Sequence, residues 1–217
     1  MLLFDAHAHL AAPDFADDLS DVLTRAESAG LCGVLTVGET LADAERILDL
    51  AAGHRLIKPA AGLFPTILDP AAAAAVLAFV RRNADRLDLA LNIHSRSAGR
   101  HTIAFLRRCG ARRVLMHAFD GRAASAVEGA EAGYAFSIPP SVVRSPQKQK
   151  LVRRLQLECL LLETDSPVLG PDPATRNEPA NVVVACRAVA ELKGVPPDKV
   201  ARVTTDNARR LFPRAFA

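Results

Sequence analysis

The chain has 217 residues, half of them apolar and 24% charged, a composition that excludes a disordered tract, a collagen-like repeat and a disulfide-stapled miniprotein. That length buries a sizeable core and favours one domain over residues 1–217 rather than two. A formal charge of +3 is too small a surplus to indicate a nucleic-acid partner by itself.

In chain order, short apolar runs with strand character alternate with longer segments of helical period. A strand at Leu2–Phe4 leads to a helix over Phe15–Ala29, a strand at Gly33–Val37 to a helix over Leu41–Ala52, and a strand at Ile57–Gly62 to a helix over Pro70–Arg86. Strands at Leu89–Ile93, Val114–Met116 and Tyr134–Ile138 precede helices over Gly99–Arg108, Arg122–Ala132 and Pro146–Arg154; a seventh strand follows at Leu160–Leu162. A Pro-rich loop from Ser166 to Pro179 then gives way to helices over Asn181–Lys193 and Pro197–Leu211. Helix starts carry their own signals: Thr40, Asp69-Pro70 and Ser145-Pro146 each offer a capping oxygen, the latter two ahead of a proline that loses nothing at the first helical position. Alternation of this kind predicts βα units around a parallel sheet. Neither a G-x-G-x-x-G turn nor a P-loop occurs, which favours a TIM-type (β/α) barrel over an open doubly wound sheet. With seven strands counted instead of eight, that barrel has either seven strands or a gap.

Cys32, Cys109, Cys159 and Cys186 form no C-x-x-C pair, which reads as reduced thiols and a cytoplasmic location. The opening Met1-Leu2-Leu3-Phe4-Asp5 meets an acid at once and argues against a signal peptide. The longest apolar run, Ala71–Val80, falls far short of the roughly 20 residues of a membrane span.

Four of the six histidines, His7, His9, His94 and His117, follow strand-like runs, and Asp165 holds the equivalent place after the seventh. In a parallel barrel the C-terminal strand ends converge on one face, so these five residues become neighbours. His7 and His9, two apart on a strand, share a face and can reach one ion. Imidazole with carboxylate suits zinc, manganese or a related divalent ion.

The segments Phe4-Asp5-Ala6-His7-Ala8-His9-Leu10, Asn92-Ile93-His94-Ser95-Arg96, Met116-His117-Ala118-Phe119-Asp120-Gly121, Glu163-Thr164-Asp165-Ser166-Pro167 and Arg176-Asn177-Glu178-Pro179 resemble, in order, the motifs of the TatD family of metal-dependent deoxyribonucleases. That resemblance implies a TIM-type barrel, a divalent metal cofactor (Zn, Mg or Mn) and hydrolysis of phosphodiester bonds, most plausibly in DNA. It implies that His7, His9 and Asp165 hold a first metal ion and that His94 and His117 hold a second. Asp165 would also orient the attacking water and accept its proton, while Glu163 supports the site from behind. Arg96 is a candidate contact for a substrate phosphate, since a guanidinium fork matches phosphate oxygens.

Two departures stand out. The family's G-x-H-P reads Gly62-Leu63-Phe64-Pro65 here, and its G-E-x-G-L-D segment, whose glutamate bridges the two ions, has no counterpart before Asn92. One helix–strand unit is therefore missing, and a second ion is expected to bind weakly or not at all. Glu39 could replace the missing glutamate, although an acid at that position more simply serves the N-terminus of the helix that follows. The alternative to catalysis is a degenerate family member that binds nucleic acid or a protein partner.

Overall fold

A computed structural model of the chain describes residues 1–60 and 89–217. The strands are β1 (Leu3–Ala8), β2 (Leu31–Val37), β3 (Ile57–Ala60), β4 (Leu91–His94), β5 (Val114–His117), β6 (Ala135–Ile138) and β7 (Leu160–Leu162). The helices are α1 (Leu19–Ser28), α2 (Leu41–Gly53), α3 (Gly99–Arg108), α4 (Ala123–Glu131), α5 (Pro146–Arg154), α6 (Val182–Lys193) and α7 (Pro197–Leu211). Phe64, the Asp69-Pro70 cap and the helix expected over Pro70–Arg86 lie outside the described residues.

Every strand pair is parallel, in the orders β1-β2-β3 and β4-β5-β6-β7. Just past β7 the backbone joins β1: Asp165 N–H donates to His7 O at 2.8 Å and His9 N–H donates to Ser166 O at 2.8 Å. The described strands thus follow one another as β3-β2-β1-β7-β6-β5-β4, a TIM-type arc whose two ends, β3 and β4, are the strands on either side of residues 61–88 in the sequence. β1 is buried along its whole length, as expected of a central strand covered on both faces.

Two apolar layers hold the arc. The larger packs Val34, Val114, Met116, Phe136, Ile138, Leu160 and Leu162 against helical residues such as Val22, Ala126, Val189 and Val200. The smaller gathers Phe4, Ala6, Leu35, Leu115 and Leu161 from four strands of the arc onto Ala208 and Phe212 at the end of α7. Packing at the α7 end leaves the opposite, C-terminal mouth of the strands for polar side chains.

Several local differences from the sequence reading have physical causes. β1 runs on to Ala8 instead of ending at Phe4, because the buried Asp5 and His7 within it are held by hydrogen bonds in place of apolar packing. Between Asp5 and Ala8 it advances three residues while β2 advances two, the mark of a bulge, which re-aims side chains near a site. The helix expected over Phe15–Ala29 is split into a 3-10 turn at Pro13–Phe15 and α1. At the break the Asp18 carboxylate is engaged by Arg176 at 2.5 and 2.8 Å and does not cap α1. Thr40 does cap α2, in a reciprocal box with Asp43, and Ser145 caps α5.

The loop after β5 depends on two glycines. Phe119 is buried, and a Cβ at Gly99 or Gly121 would stand 2.5 or 2.4 Å from its ring. We expect Gly121→Ala to destabilise the protein by about 1–3 kcal/mol through overpacking; urea denaturation measures the loss, and adding Phe119→Leu recovers part of it.

Candidate metal centre

The five residues picked out by their strand-end positions meet at the C-terminal mouth. His7 lies within β1 and His9 one residue past its end; His94 and His117 close β4 and β5, paired directly across the two strands; Asp165 follows β7. His7 Nε2 and His9 Nε2 are 3.2 Å apart. The Asp165 Oδ1 atom lies 3.7 Å from His7 Nε2, 3.6 Å from His9 Nε2 and 3.4 Å from His117 Nε2. The rings of His7 and His117 stack at 3.6 Å between centroids, and His94 stands 4.4 Å from His117 and 4.8 Å from His7. Among the described residues two groups have ligand atoms all within 4.8 Å of one another: His7, His9 and Asp165, and His7, His94 and His117.

The outer nitrogens of two of these rings are tied down. His9 Nδ1 lies 3.1 Å from Val37 O, a carbonyl that accepts only, so Nδ1 carries the proton and Nε2 turns toward the cluster. His117 Nδ1 lies 2.6 Å from Glu163 Oε2. The Glu163 carboxylate is fully buried and also accepts from Ser137 Oγ at 2.5 Å and from Ala118 N at 3.0 Å. Glu163 therefore stands directly behind the His117 ring.

Electrostatics follow from this crowding. Burial, reinforced by neighbouring imidazoles, pushes His7 well below its ordinary value and His94 down to about 4. Burial also opposes charge on His117, yet the Glu163 and Asp165 carboxylates outweigh it and raise that pKa to about 10. Burial alone would raise Asp165, but hydrogen bonding with His117 and that imidazole's charge hold it well below the usual carboxylate range. The cluster thus presents an ionised carboxylate and neutral His7 and His94 at neutral pH, a donor set suited to a divalent cation. Among the described residues His7 Nδ1 is buried with no hydrogen-bond partner, an unsatisfied polar atom of the kind that marks sites completed by an ion or ligand.

Backbone strain concentrates here. Asp165 (φ 55°), Ala118 (φ 40°) and Arg96 (φ 41°) are non-glycine residues in the left-handed region, each just beyond a strand end that contributes to the cluster. Arg96 is exposed on the turn after His94, near enough to help depress that imidazole. Among the described residues Glu39 belongs to neither metal-capable group; its backbone N–H donates to the Asp43 carboxylate in the cap of α2.

Sequence reasoning passed over Asp5, Lys148 and Asn177. Asp5 is buried between β1 and β7, accepting from Thr164 N at 2.9 Å and Thr164 Oγ1 at 2.5 Å, and burial lifts its pKa to about 8 against those hydrogen bonds. Lys148, at the start of α5, sends Nζ to Ala118 O at 2.9 Å. Asn177 grips the turn carrying Asp165. Only Asp5 and Asn177 had a signal, their place inside motifs already noted.

The family model described as TatD related DNase matches residues 4–83 and again 69–213. The human protein named deoxyribonuclease TATDN3 is 39% identical over 260 aligned positions, which cover 98% of this chain and 95% of that protein. YabD of Bacillus subtilis, named a metal-dependent hydrolase, is 29% identical, with 97% of this chain and 99% of that protein covered. The crystal structure of YjjV, a TatD homologue from Escherichia coli K12, superposes with a TM-score of 0.88 at 22% identity over 97% of this chain and 98% of that one, a likeness of fold. This chain belongs to the TatD-related DNase family and is a metal-dependent hydrolase of TatD type. The human alignment exceeds this chain's 217 residues by 43 positions, so that relative has residues with no counterpart here. The two family-model matches double over residues 69–83, in the stretch between β3 and β4.

In the metal-free protein His117 stays protonated at neutral pH, and Glu163→Gln returns its pKa toward the ordinary range; histidine proton NMR against pH checks both. Because the folded value is raised, the stability His117 contributes is complete below about pH 6.5 and is lost as pH rises through about 10. The stability gap between the wild type and Glu163→Gln should narrow over that window.

Proposed function

We propose that this chain, acting as a single domain, is a phosphodiesterase that cuts DNA, with His7, His9 and Asp165 holding one divalent ion and His94 and His117 holding a second or facing the developing phosphoryl charge themselves. The observation that carries the reading is the convergence of these five side chains, from four strands far apart in the chain, onto one mouth with the Asp165 carboxylate at its centre. DNA as the substrate is supported by the name of the human relative. The nitrogen-rich donor set favours zinc or manganese over magnesium. When bound, such an ion supplies Lewis acidity for a phosphoryl oxygen and makes a neighbouring water more acidic.

The chain's own groups do the rest. His9 and His117 are held in one orientation by Val37 O and Glu163, so their Nε2 atoms face the cluster in fixed directions, with His117 giving up its Nε2 proton where a cation binds. Asp165, ionised across the working range, orients the attacking water and accepts its proton. Arg96, on the exposed turn beside His94, engages a substrate phosphate through its guanidinium fork. Among the described residues no helix is long and apolar enough to cross a membrane. The four cysteines are free, which supports a cytoplasmic location.

Purified protein should retain divalent metal and cleave DNA, and a chelator should abolish the cleavage. Asp165→Asn and His9→Ala should each lower cleavage by more than the roughly 10–100-fold that supporting partners of a metal site carry. Protein that is inert and metal-free when supplied with zinc, manganese and magnesium would refute the reading. If that protein still bound DNA, the non-catalytic alternative would replace it.

A further inference from the structure

We propose that Asn177 is a positioning residue for Asp165, setting where its carboxylate stands; the proposal rests on the reading of Asp165 as a metal ligand. Asp165 sits in a turn just past β7, closed by Val168 N–H donating to Asp165 O at 2.9 Å and held at φ 55°. That conformation is unfavourable for an aspartate and persists only where its surroundings over-determine it. Asn177 supplies much of that determination from outside the turn. Its Nδ2 donates to Thr164 O at 2.8 Å and to Val168 O at 2.7 Å, the carbonyls on either side of Asp165, and its backbone N–H donates to Pro167 O at 2.9 Å.

The brace is itself fixed. Asn177 is 1% exposed, its Oδ1 accepts from Asn181 Nδ2 at 2.9 Å, and Gly170 packs so closely that a Cβ there would meet Asn177 Cβ at 3.2 Å. Both amide hydrogens and the amide oxygen are used, so no other side chain of this size reproduces the pattern. Aspartate has the right shape but would aim lone pairs at two carbonyls, and serine is too short to reach both. The residues on either side do a different job. Arg176 pairs with Asp18 and lies 4.9 Å over the Phe15 ring, while Glu178 pairs with Arg25. They tie the loop to α1 and its preceding turn without touching the Asp165 turn. Because Asp165 Oδ1 faces three imidazoles at 3.4–3.7 Å, a small displacement of the turn disturbs every partner together.

The test uses the full chain as wild type, Asn177→Ser, Asn177→Asp, Arg176→Met and Asp165→Asn, all measured below their melting temperatures. Zinc affinity is read by competition with a chelator, and ligand geometry by the visible absorption of the cobalt-substituted protein. The expected result is a loss of affinity of about tenfold or more in Asn177→Ser, a larger loss in Asn177→Asp, an altered cobalt spectrum in both, and wild-type behaviour in Arg176→Met. Wild-type affinity and spectrum in both Asn177 variants would overturn the proposal. So would an equal loss in Arg176→Met, which would make the effect one of general loop loosening. If neither Asn177 variant folds, Asn177 is a folding residue and the positioning role is also overturned. Asp165→Asn separates the two layers: unchanged affinity there removes the metal-ligand reading itself, whereas loss there with unchanged Asn177 variants removes the positioning role alone.

Discussion

A single buried carboxylate, Asp165, faces three imidazoles, and the organisation of the C-terminal mouth follows from keeping it there. An ionised group in that position is tolerated only with compensating hydrogen bonds and opposite charge. His117 supplies both. His117 in turn is kept protonated by Glu163, whose oxygens are satisfied by Ser137 and the Ala118 backbone. The chain of partners runs from a strand-end acid through two strands into the core, and each link constrains the next. A dication entering this cluster would take the place of protons, so the protonated His117 of the metal-free state and the ligand role proposed for it describe the same negative environment.

Holding the cluster requires backbone that departs from ideal strands. β1 bulges between Asp5 and Ala8 just where His7 lies, and Asp165 and Ala118 adopt left-handed conformations directly after their strands. These irregularities are offset by regular packing elsewhere, in the two apolar layers and the plug of α7 residues at the far end. Two ionic clips, Arg25 with Glu178 and Arg176 with Asp18, fasten the long loop after β7 to the first helix. Being partly solvent-exposed, they contribute modestly to stability and more to the path of the loop. Asn177, between the two clips, is the point at which that path touches the site.

Much of this was legible in the sequence for definite reasons. The strand-end placement of His7, His9, His94, His117 and Asp165 is a one-dimensional pattern, and parallel topology alone turns it into proximity. Helices such as α3, α5 and α7 fall where their period and, for α5, the Ser145 cap put them, because those signals are local. The supporting shell was less visible. Asp5 reads as part of a ligand motif, yet it bonds Thr164 across two strands, and a buried lysine such as Lys148 looks in sequence like any solvated charge on a helix. The bulge in β1 leaves no composition signal, since its register is set by β2. Glu39 was ambiguous on paper because an acid before a helix serves either as a ligand or as a helix-terminal charge, and its side chain joins neither metal-capable group among the described residues.

The account stands or falls on where a cation settles. Crystals of the protein grown with zinc or manganese, with data collected across the metal absorption edge, locate the ion directly by its anomalous scattering. The expected peak lies at coordination distance, about 2.0–2.2 Å, from a nitrogen of His7, a nitrogen of His9 and an oxygen of Asp165. A metal-saturated crystal whose peak lies away from Asp165, with these side chains still in place, would contradict it.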